Sequence, residues 1–273
     1  MSRGRRATAA VTAVLCLWAT GLAAGQAAEV FQGEAVESFL TQGRIRNMEG
    51  LSEGVTAPRR ATLERDGVSH DAVFKDIEYL RPGITQLGDA SVIYNMEDNW
   101  RFEVAAYRID RLIGLGLVPA TIEREYRGRA GSLQWWVESE MPEAERRQRN
   151  IQPPDREAWN RHWFNMRLFD NLLFNWDRHS NNILVTGNFE LRLIDHSRAF
   201  LAHDELRRPD ELTRFSRSLL AGLERLTREQ LVEHVGEYIE GSKIDAILAR
   251  RDAILALAKQ AVEARGEEAV LFP

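Results

Sequence analysis

The stretch that decides the fold spans residues 170–200 and consists of DNLLFNWDRHSNNILVTGNFELRLIDHSRAF. It contains two short apolar runs, at residues 183–185 and 189–194. Between them lies Gly187-Asn188, a dipeptide that is typical of tight hairpin turns. The pattern therefore predicts a short antiparallel hairpin in the middle of this stretch.

Three polar side chains flank the predicted hairpin. Asp177 and Asn182 precede its first strand, and Asp195 follows its second strand. Because antiparallel strands of this length bring those two ends together, we expect the three side chains to converge on one point. Carboxylate and amide oxygens in such a group are candidates for metal binding or acid–base chemistry. The sequence therefore predicts a functional site here.

The spacing of these residues is that of a kinase catalytic loop. In that loop an Asp accepts the acceptor's hydroxyl proton, an Asn five residues later binds magnesium, and a second Asp beyond a hairpin also binds magnesium. Asp177 and Asn182 are likewise five apart, and Asp195 follows thirteen residues after Asn182. The order Asp-Arg-His-x-x-Asn followed by Ile-Asp-x-x-x-x-Phe resembles the atypical kinases: the phosphatidylinositol 3- and 4-kinase-like group, the HipA-type bacterial kinases and the four-jointed-type secretory kinases.

This resemblance implies an α+β, bilobal protein-kinase-like fold, with a β-rich N-lobe over residues 29–140 and a helical C-lobe over residues 141–273. It implies ATP and Mg²⁺ or Mn²⁺ as cofactors, and transfer of the γ-phosphoryl group to a hydroxyl acceptor on a protein, sugar or lipid. Asp177 would act as the base or orient the acceptor. Asn182 and Asp195 would bind the metal.

Other interpretations of the same residues stay open at this point. Asp and Asn are also the usual turn and cap residues. Asp177, His179, Asp195 and His196 together would suit a metal-dependent hydrolase. A third alternative is a nucleotide-binding pseudokinase, which would bind nucleotide without transferring phosphate.

A glycine-containing loop lies between two predicted strands, residues 44–48 and 59–64. It holds Gly50 and Gly54, and glycine lets backbone N–H groups approach phosphate oxygens. We therefore take the loop as a candidate phosphate-binding loop. The alternative is an ordinary hairpin loop.

Lys75 is notable because lysine is rare in this chain. The sequence has 33 arginines and only three lysines, the others being Lys243 and Lys259. Lys75 alternates with apolar neighbours on a predicted strand over residues 71–77. A kinase needs a compact ammonium group at this place to hold the nucleotide phosphates. The alternative is an edge-strand lysine that prevents aggregation.

A predicted helix over residues 99–115 carries Glu103 in its first turns. In the kinase arrangement this helix supplies a Glu that pairs with the strand lysine, so Glu103 is the expected partner of Lys75. On the helix alone, a surface Glu is the simpler interpretation. Residues 121–126 and 132–138 are predicted to form a hairpin across residues 127–131. Val137 and Glu138, at the end of its second strand, are the candidate hinge residues that would meet the adenine ring.

The remaining segments are mostly helical. Residues 155–175 have apolar side chains at helical spacing, and three amphipathic helices are predicted over residues 209–223, 227–239 and 242–263. The charged segment 141–154 is expected to be a solvated linker.

Residues 1–28 have the layout of a secretory signal peptide: Arg3, Arg5 and Arg6 precede an uncharged run that ends in small residues. We therefore expect export, either periplasmic or secreted; the alternative is an N-terminal membrane anchor. The only cysteine, Cys16, lies inside this segment, which excludes thiol chemistry in the mature chain. Cleavage would remove three arginines and change the formal net charge from −5 to −8, which argues against a nucleic-acid partner.

Overall fold

The computed structural model describes residues 30–51, 57–86 and 92–273. The predicted signal segment and Gly54 lie outside the described residues. Among the described residues, no helix combines the length and apolar character that a membrane crossing requires.

The N-terminal part is built on a five-stranded antiparallel sheet with the strand order β1-β2-β3-β7-β6. Two helices and a separate two-stranded hairpin, β4–β5, accompany it. The elements are α1 Glu34–Gln42, β1 Arg44–Gly50, β2 Arg59–Arg65, β3 Val68–Lys75, β4 Glu78–Gln86, β5 Val92–Asn99, α2 Trp100–Ile113, β6 Thr121–Tyr126 and β7 Arg129–Trp135.

Two tight turns set the register of this sheet. A turn at Asp66-Gly67 joins β2 and β3, and both of its residues have positive φ, as a type I′ turn requires. The turn between β6 and β7 is the same kind of two-residue turn, at Arg127-Gly128, whereas the sequence predicted a longer connection. Strand β7 ends at Trp135, before the candidate hinge residues Val137 and Glu138.

The hairpin β4–β5 was not predicted from the sequence. Its strands carry five of the eight large hydrophobic side chains that are exposed in the described part of the chain, and its apolar residues do not alternate cleanly. Near the C-terminal end of β5, Glu97 forms an ion pair with Lys243, with Oε1 and Nζ 2.6 Å apart. The hairpin is therefore tied to the C-terminal part of the molecule at one end.

Helix α2 connects the sheet to the C-terminal helices. Asn99 caps its start by accepting a hydrogen bond from the backbone N–H of Arg101, and Gly114 ends it in the left-handed conformation. Ten of its fourteen residues are buried, because it packs between β6 and β7 on one side and the helices α5 (Arg217–Arg225) and α6 (Arg228–Val235) on the other. A helix enclosed in this way is a fixed support for the side chains it carries.

The C-terminal part is mainly helical, as predicted. Its elements are β8 Met141–Pro142, α3 Glu143–Gln148, α4 Arg156–Leu173, β9 Ile183–Val185, β10 Leu191–Leu193, β11 Phe215–Ser216, α5 Arg217–Arg225, α6 Arg228–Val235, α7 Gly241–Arg265, α8 Glu267–Val270 and β12 Leu271–Phe272. Strands β8, β9 and β10 form a small antiparallel sheet, and β11 pairs with β12 in parallel.

The predicted hairpin is present as β9–β10, but its turn is longer than expected. Val185 pairs with Leu191, so the loop covers residues 186–190. The residue with positive φ is Phe189, not Gly187. We attribute this to packing, because the Phe189 ring contacts the ring of Trp159 on α4 with centroids 6.3 Å apart.

Two other segment predictions were wrong. Residues 141–148 form β8 and α3, and Glu143 is fully buried, where it accepts hydrogen bonds from Arg146 and Arg147. The helix predicted from residue 209 begins only at Arg217, because Ser216 caps it and pairs with the C-terminal strand. In both cases strand pairing with a distant segment contributes, since Met141 pairs with Val185 and Ser216 pairs with Phe272.

Gly222→Ala should destabilise the protein by about 1–3 kcal/mol through overpacking, although alanine is the better helix former. A Cβ atom at Gly222 would lie 2.2 Å from the carbonyl oxygen of Ile113 at the end of α2. Urea unfolding would measure the change. Gly241→Ala is the matched control, because its Cβ would meet only an Arg228 side-chain atom at 3.8 Å. Equal stability of the two variants would contradict close α2–α5 packing.

Candidate active site

The candidate site centres on a lysine bound to two carboxylates. Lys75 is the last residue of β3, and its Nζ lies 2.6 Å from Glu103 Oε1 on α2 and 2.8 Å from Asp195 Oδ1 after β10. The ion pair that the sequence predicted between Lys75 and Glu103 is present. Lys75 thus joins a strand, a helix and the segment that follows the hairpin.

The second oxygen of Glu103 fixes the backbone next to Asp195. Glu103 Oε2 accepts a 2.9 Å hydrogen bond from the backbone N–H of His196. Asp195 itself has a φ of +59°, an uncommon conformation for a residue with a side chain. Its Oδ1 also accepts a 3.2 Å hydrogen bond from Ser197 Oγ. These contacts hold the strained residue in one orientation.

Burial and charge together fix the protonation states of this pair. Burial alone would lower the pKa of Lys75, but the Glu103 and Asp195 carboxylates more than offset it, and the pKa is raised. Burial alone would raise the pKa of Glu103, but the Lys75 ammonium outweighs it, and the pKa is lowered. Both groups are therefore charged throughout the neutral pH range.

Asp177 and Asn182 lie on the loop between α4 and β9. The Asn182 side chain donates from Nδ2 to the backbone carbonyl of Asp177 at 3.4 Å, so its Oδ1 is the atom that could bind a cation. The backbone carbonyl of Asn182 accepts a 3.1 Å hydrogen bond from the N–H of Ile194. Since Ile194 directly precedes Asp195, this bond brings the two candidate metal ligands into neighbouring positions.

Arg178, to which the sequence assigned no role, joins the loop after α4 to the end of β10. Its Nη1 donates to the carbonyl oxygens of Asn182 at 2.9 Å and Ile194 at 2.6 Å. Its guanidinium also binds the Asp170 carboxylate, with Nε 3.1 Å from Oδ2. The Arg178 side chain is only 8% exposed, so a rigid, fully charged group holds the loop against the end of β10.

His196 is a structural residue in this arrangement. It is fully buried, and its Nε2 lies 2.8 Å from Arg178 Nη2. Because arginine only donates, Nε2 accepts and the ring proton is assigned to Nδ1. Burial, reinforced by the Arg178 charge, lowers the pKa of His196, so its ring is neutral.

A second residue that the sequence did not single out, Arg198, contacts the candidate base. Its Nη1 lies 2.9 Å from Asp177 Oδ2, and its Nε lies 2.7 Å from Asp98 Oδ2 at the end of β5. Asp98 is 3% exposed. Burial raises the pKa of Asp177, and the Arg198 charge opposes that rise only in part. The sequence signal was its position three residues after Asp195, within the motif.

The donor set fits a hard divalent cation. Asp195 supplies a carboxylate and Asn182 an amide oxygen, the ligand types that Mg²⁺ and Mn²⁺ take in phosphate-transfer sites, where water and phosphate oxygens complete the shell. In the described part of the chain, no group of three or more His, Cys, Asp and Glu side chains could hold a metal by itself. The hydrolase alternative requires His196 as a ligand, but this side chain is fully buried and its Nε2 already accepts from Arg178.

The other predicted residues lie on different elements. Gly50 ends β1 opposite Arg59, with open space where a Cβ would be, and Gly54 is outside the described residues. Val137 is buried and Glu138 is exposed, in the connection between β7 and β8. Their nucleotide-binding roles stay predictions.

No protein-family model matches the sequence, and no curated protein matches it. Solved structures match the fold of the chain. The crystal structure of the Golgi casein kinase superimposes with a TM-score of 0.61 at 14% identity, covering 87% of this chain and 78% of that chain. The Helicobacter pylori proinflammatory kinase CtkA superimposes with a TM-score of 0.55 at 13% identity, covering 83% of this chain and 98% of that chain.

The chain has a protein-kinase-like fold. The α+β, bilobal architecture predicted from residues 170–200 is thereby confirmed. At identities this low, the likeness establishes the fold and not the reaction or its acceptor.

Lys75→Met should destabilise the protein by about 3–5 kcal/mol, because it leaves the buried Glu103 carboxylate without its counter-charge. The double variant Lys75→Met/Glu103→Gln should recover part of this loss, since it leaves no unpaired buried charge. Urea unfolding at neutral pH would measure both.

Lys259→Met is the control for removal of a lysine. Lys259 is exposed on α7, so the change should stay within about 0.5 kcal/mol. If the double variant were as unstable as Lys75→Met alone, the Glu103 charge would not be the source of the loss.

Proposed function

We propose that this protein is an ATP-dependent phosphotransferase of the atypical kinase type, which transfers the γ-phosphoryl group of a metal-bound nucleotide to a hydroxyl acceptor. The observation that carries the proposal is the contact of Lys75 with both Glu103 and Asp195 within a kinase-like fold. This is the lysine, helix glutamate and metal-binding aspartate arrangement on which kinase activity depends.

Each residue then has a role that follows from its surroundings. Lys75, kept charged by its two carboxylates, would hold the nucleotide phosphates. Asn182 and Asp195 would bind Mg²⁺ or Mn²⁺, which neutralises charge on the phosphates when it is bound. Arg178 keeps these two ligands in register from behind the loop. Phosphoryl transfer gains mainly from positioning and charge neutralisation, which this set supplies.

Asp177 would accept the proton of the acceptor hydroxyl or orient that hydroxyl. Arg198 engages Oδ2 of Asp177, which leaves Oδ1 to face the acceptor. A general base works best when its pKa lies near the operating pH. The upward shift of the Asp177 pKa that burial causes is therefore in the useful direction.

Residues 29–140 and 141–273 would be the two lobes. Gly50, Gly54, Val137 and Glu138 would contact the nucleotide, and residues 1–28 would direct export to the periplasm or beyond the cell. The acceptor would be a protein, a sugar or a lipid.

ATP with Mg²⁺ or Mn²⁺ should stabilise the protein against heat. At about 100 times the dissociation constant the gain is about 2.7 kcal/mol, which corresponds to a shift of roughly 5–10 °C for a chain of this size. Asp195→Ala and Lys75→Ala should abolish the shift, because one removes a metal ligand and the other the phosphate-binding ammonium. Thermal unfolding followed by circular dichroism measures it.

Two other outcomes have distinct meanings. A shift with nucleotide, without any release of ADP in the presence of acceptors, would identify a pseudokinase. A shift with metal alone that survives Lys75→Ala would contradict the kinase proposal and favour metal-dependent hydrolysis.

The rate of ADP release should fall on acidification through a pKa above the ordinary aspartate value of about 3.9, because burial raises the pKa of Asp177 and the base works only when it is deprotonated. The double variant Arg198→Gln/Asp98→Asn should move this acidic limb to higher pH, since it removes the positive charge that opposes the rise. Replacing both members keeps the buried pair neutral. A pH profile of kcat/KM measures the shift.

Arg46→Gln is the control for this profile, because Arg46 forms an exposed ion pair with Glu64 on the sheet. Its profile should match the wild type. An acidic limb that stays in place in the double variant would show that Arg198 does not act on the catalytic base.

A further inference from the structure

A cavity of about 290 Å³ lies beside the loop that carries Asp177. Arginine provides five of its fifteen lining residues, although only 33 of the 273 residues in the chain are arginines. A histidine joins them. The cationic and histidine lining consists of Arg147, Arg167, Arg178, His179, Arg207 and Arg208. This local excess of positively charged residues contrasts with the net charge of −5 of the whole chain.

The cavity is separate from the proposed nucleotide site. Its walls come from α3, α4, the loop after α4 and the segment around residues 207–211. Trp176 and Arg178, the two neighbours of Asp177, both line it, whereas Asp177, Lys75 and Asp195 do not. A ligand here would therefore touch the flank of the catalytic loop without occupying the phosphate-transfer centre.

The carboxylates of the cavity do not balance its arginines. Asp170 is bound by Arg178. Glu211 forms ion pairs with two arginines: Arg208 Nη1 lies 3.0 Å away and Arg167 Nε lies 3.7 Å away. Arg167 is thus held loosely, and about a third of its side chain is exposed.

Arg147 adds a second cation whose carboxylate is shared. Glu143 accepts hydrogen bonds from both Arg146 and Arg147, each with a nitrogen at 2.6 Å. The Arg147 guanidinium also lies over the Trp163 ring, 5.2 Å from its centroid. These contacts hold the guanidinium in place, yet about half of the Arg147 side chain is exposed. It is therefore fixed and still accessible to a ligand.

We propose that this cavity binds a phosphate or sulfate monoester. A guanidinium fork matches the oxygens of a tetrahedral oxyanion, and charge-assisted hydrogen bonds of this kind are the strong ones. The volume is at the small end of small-molecule sites, which suits one sugar-sized or amino-acid-sized group. Trp163 and Trp176 in the walls offer apolar surface to the organic part of the ester. The site does not depend on the proposed phosphotransfer.

Calorimetric titration of the full chain with sulfate, at constant ionic strength against chloride, tests the proposal directly. Saturable binding should be weakened about tenfold or more in Arg167→Gln and in Arg147→Gln, because each loses a hydrogen bond to a charged group. Arg167→Lys should lie between, since it keeps the charge and loses the fork. Circular dichroism melts without sulfate check that each variant is folded.

Two control variants separate this site from general effects. Arg228→Gln removes a cation from an exposed ion pair with Asp245 and should bind sulfate like the wild type. Asp195→Asn alters the proposed nucleotide site and should also leave sulfate binding unchanged. A failure of nucleotide binding would thus not be confused with a failure of the anion site.

Glucose 6-sulfate in place of inorganic sulfate identifies the source of the anion. Tighter binding of the ester indicates that an organic group is recognised, and equal binding indicates that the free anion is sufficient. The proposal is overturned if sulfate does not bind, or if Arg167→Gln and Arg147→Gln bind it as tightly as the wild type.

Discussion

The contact of Lys75 with two carboxylates is the interaction on which the rest of the structure depends. It joins a strand of the sheet, the enclosed helix α2 and the segment after the hairpin β9–β10. Taking such charges out of water is costly, and the cost is recovered only with good geometry and further hydrogen bonds. Glu103 meets that condition, since its second oxygen binds the backbone of His196. One buried network thus sets the position of Asp195.

Two arginines also hold together the segments that form the site. Arg178 binds backbone carbonyls on both sides of the hairpin, and Arg198 bridges Asp177 and Asp98. The guanidinium presents several donors in a fixed plane, so one side chain can hold two segments at once. Cations on both flanks therefore position the loop that carries Asp177.

The surroundings of the three lysines show a use of this residue other than phosphate binding. The side chains of Lys75 and Lys243 are only 11% and 7% exposed, and both form 2.6 Å ion pairs, with Glu103 and Glu97 respectively, whereas Lys259 is exposed. A compact ammonium fits where a guanidinium would not. Two of the three lysines thus form confined ion pairs between elements, and the proposed role of Lys75 in holding phosphates rests on its neighbours as well as on its type.

Short-range features were determined by the sequence alone. The turn at Asp66-Gly67, the cap at Asn99 and the spacing of Asp177, Asn182 and Asp195 depend on residues close together in the chain, where dihedral preferences and local hydrogen bonds decide. Together with the resemblance to the atypical kinases, the spacing sufficed to predict the kinase-like fold and the Lys75–Glu103 pair.

Only the tertiary structure decided the Asp98–Arg198 bridge, the turn at Phe189 and the arginine-lined cavity. Each joins elements far apart in sequence, and α3 forms around a carboxylate, Glu143, that is fully buried. Packing chooses among such partners, because any of the 33 arginines has the chemistry to bind a given carboxylate and only the fold brings one of them within reach.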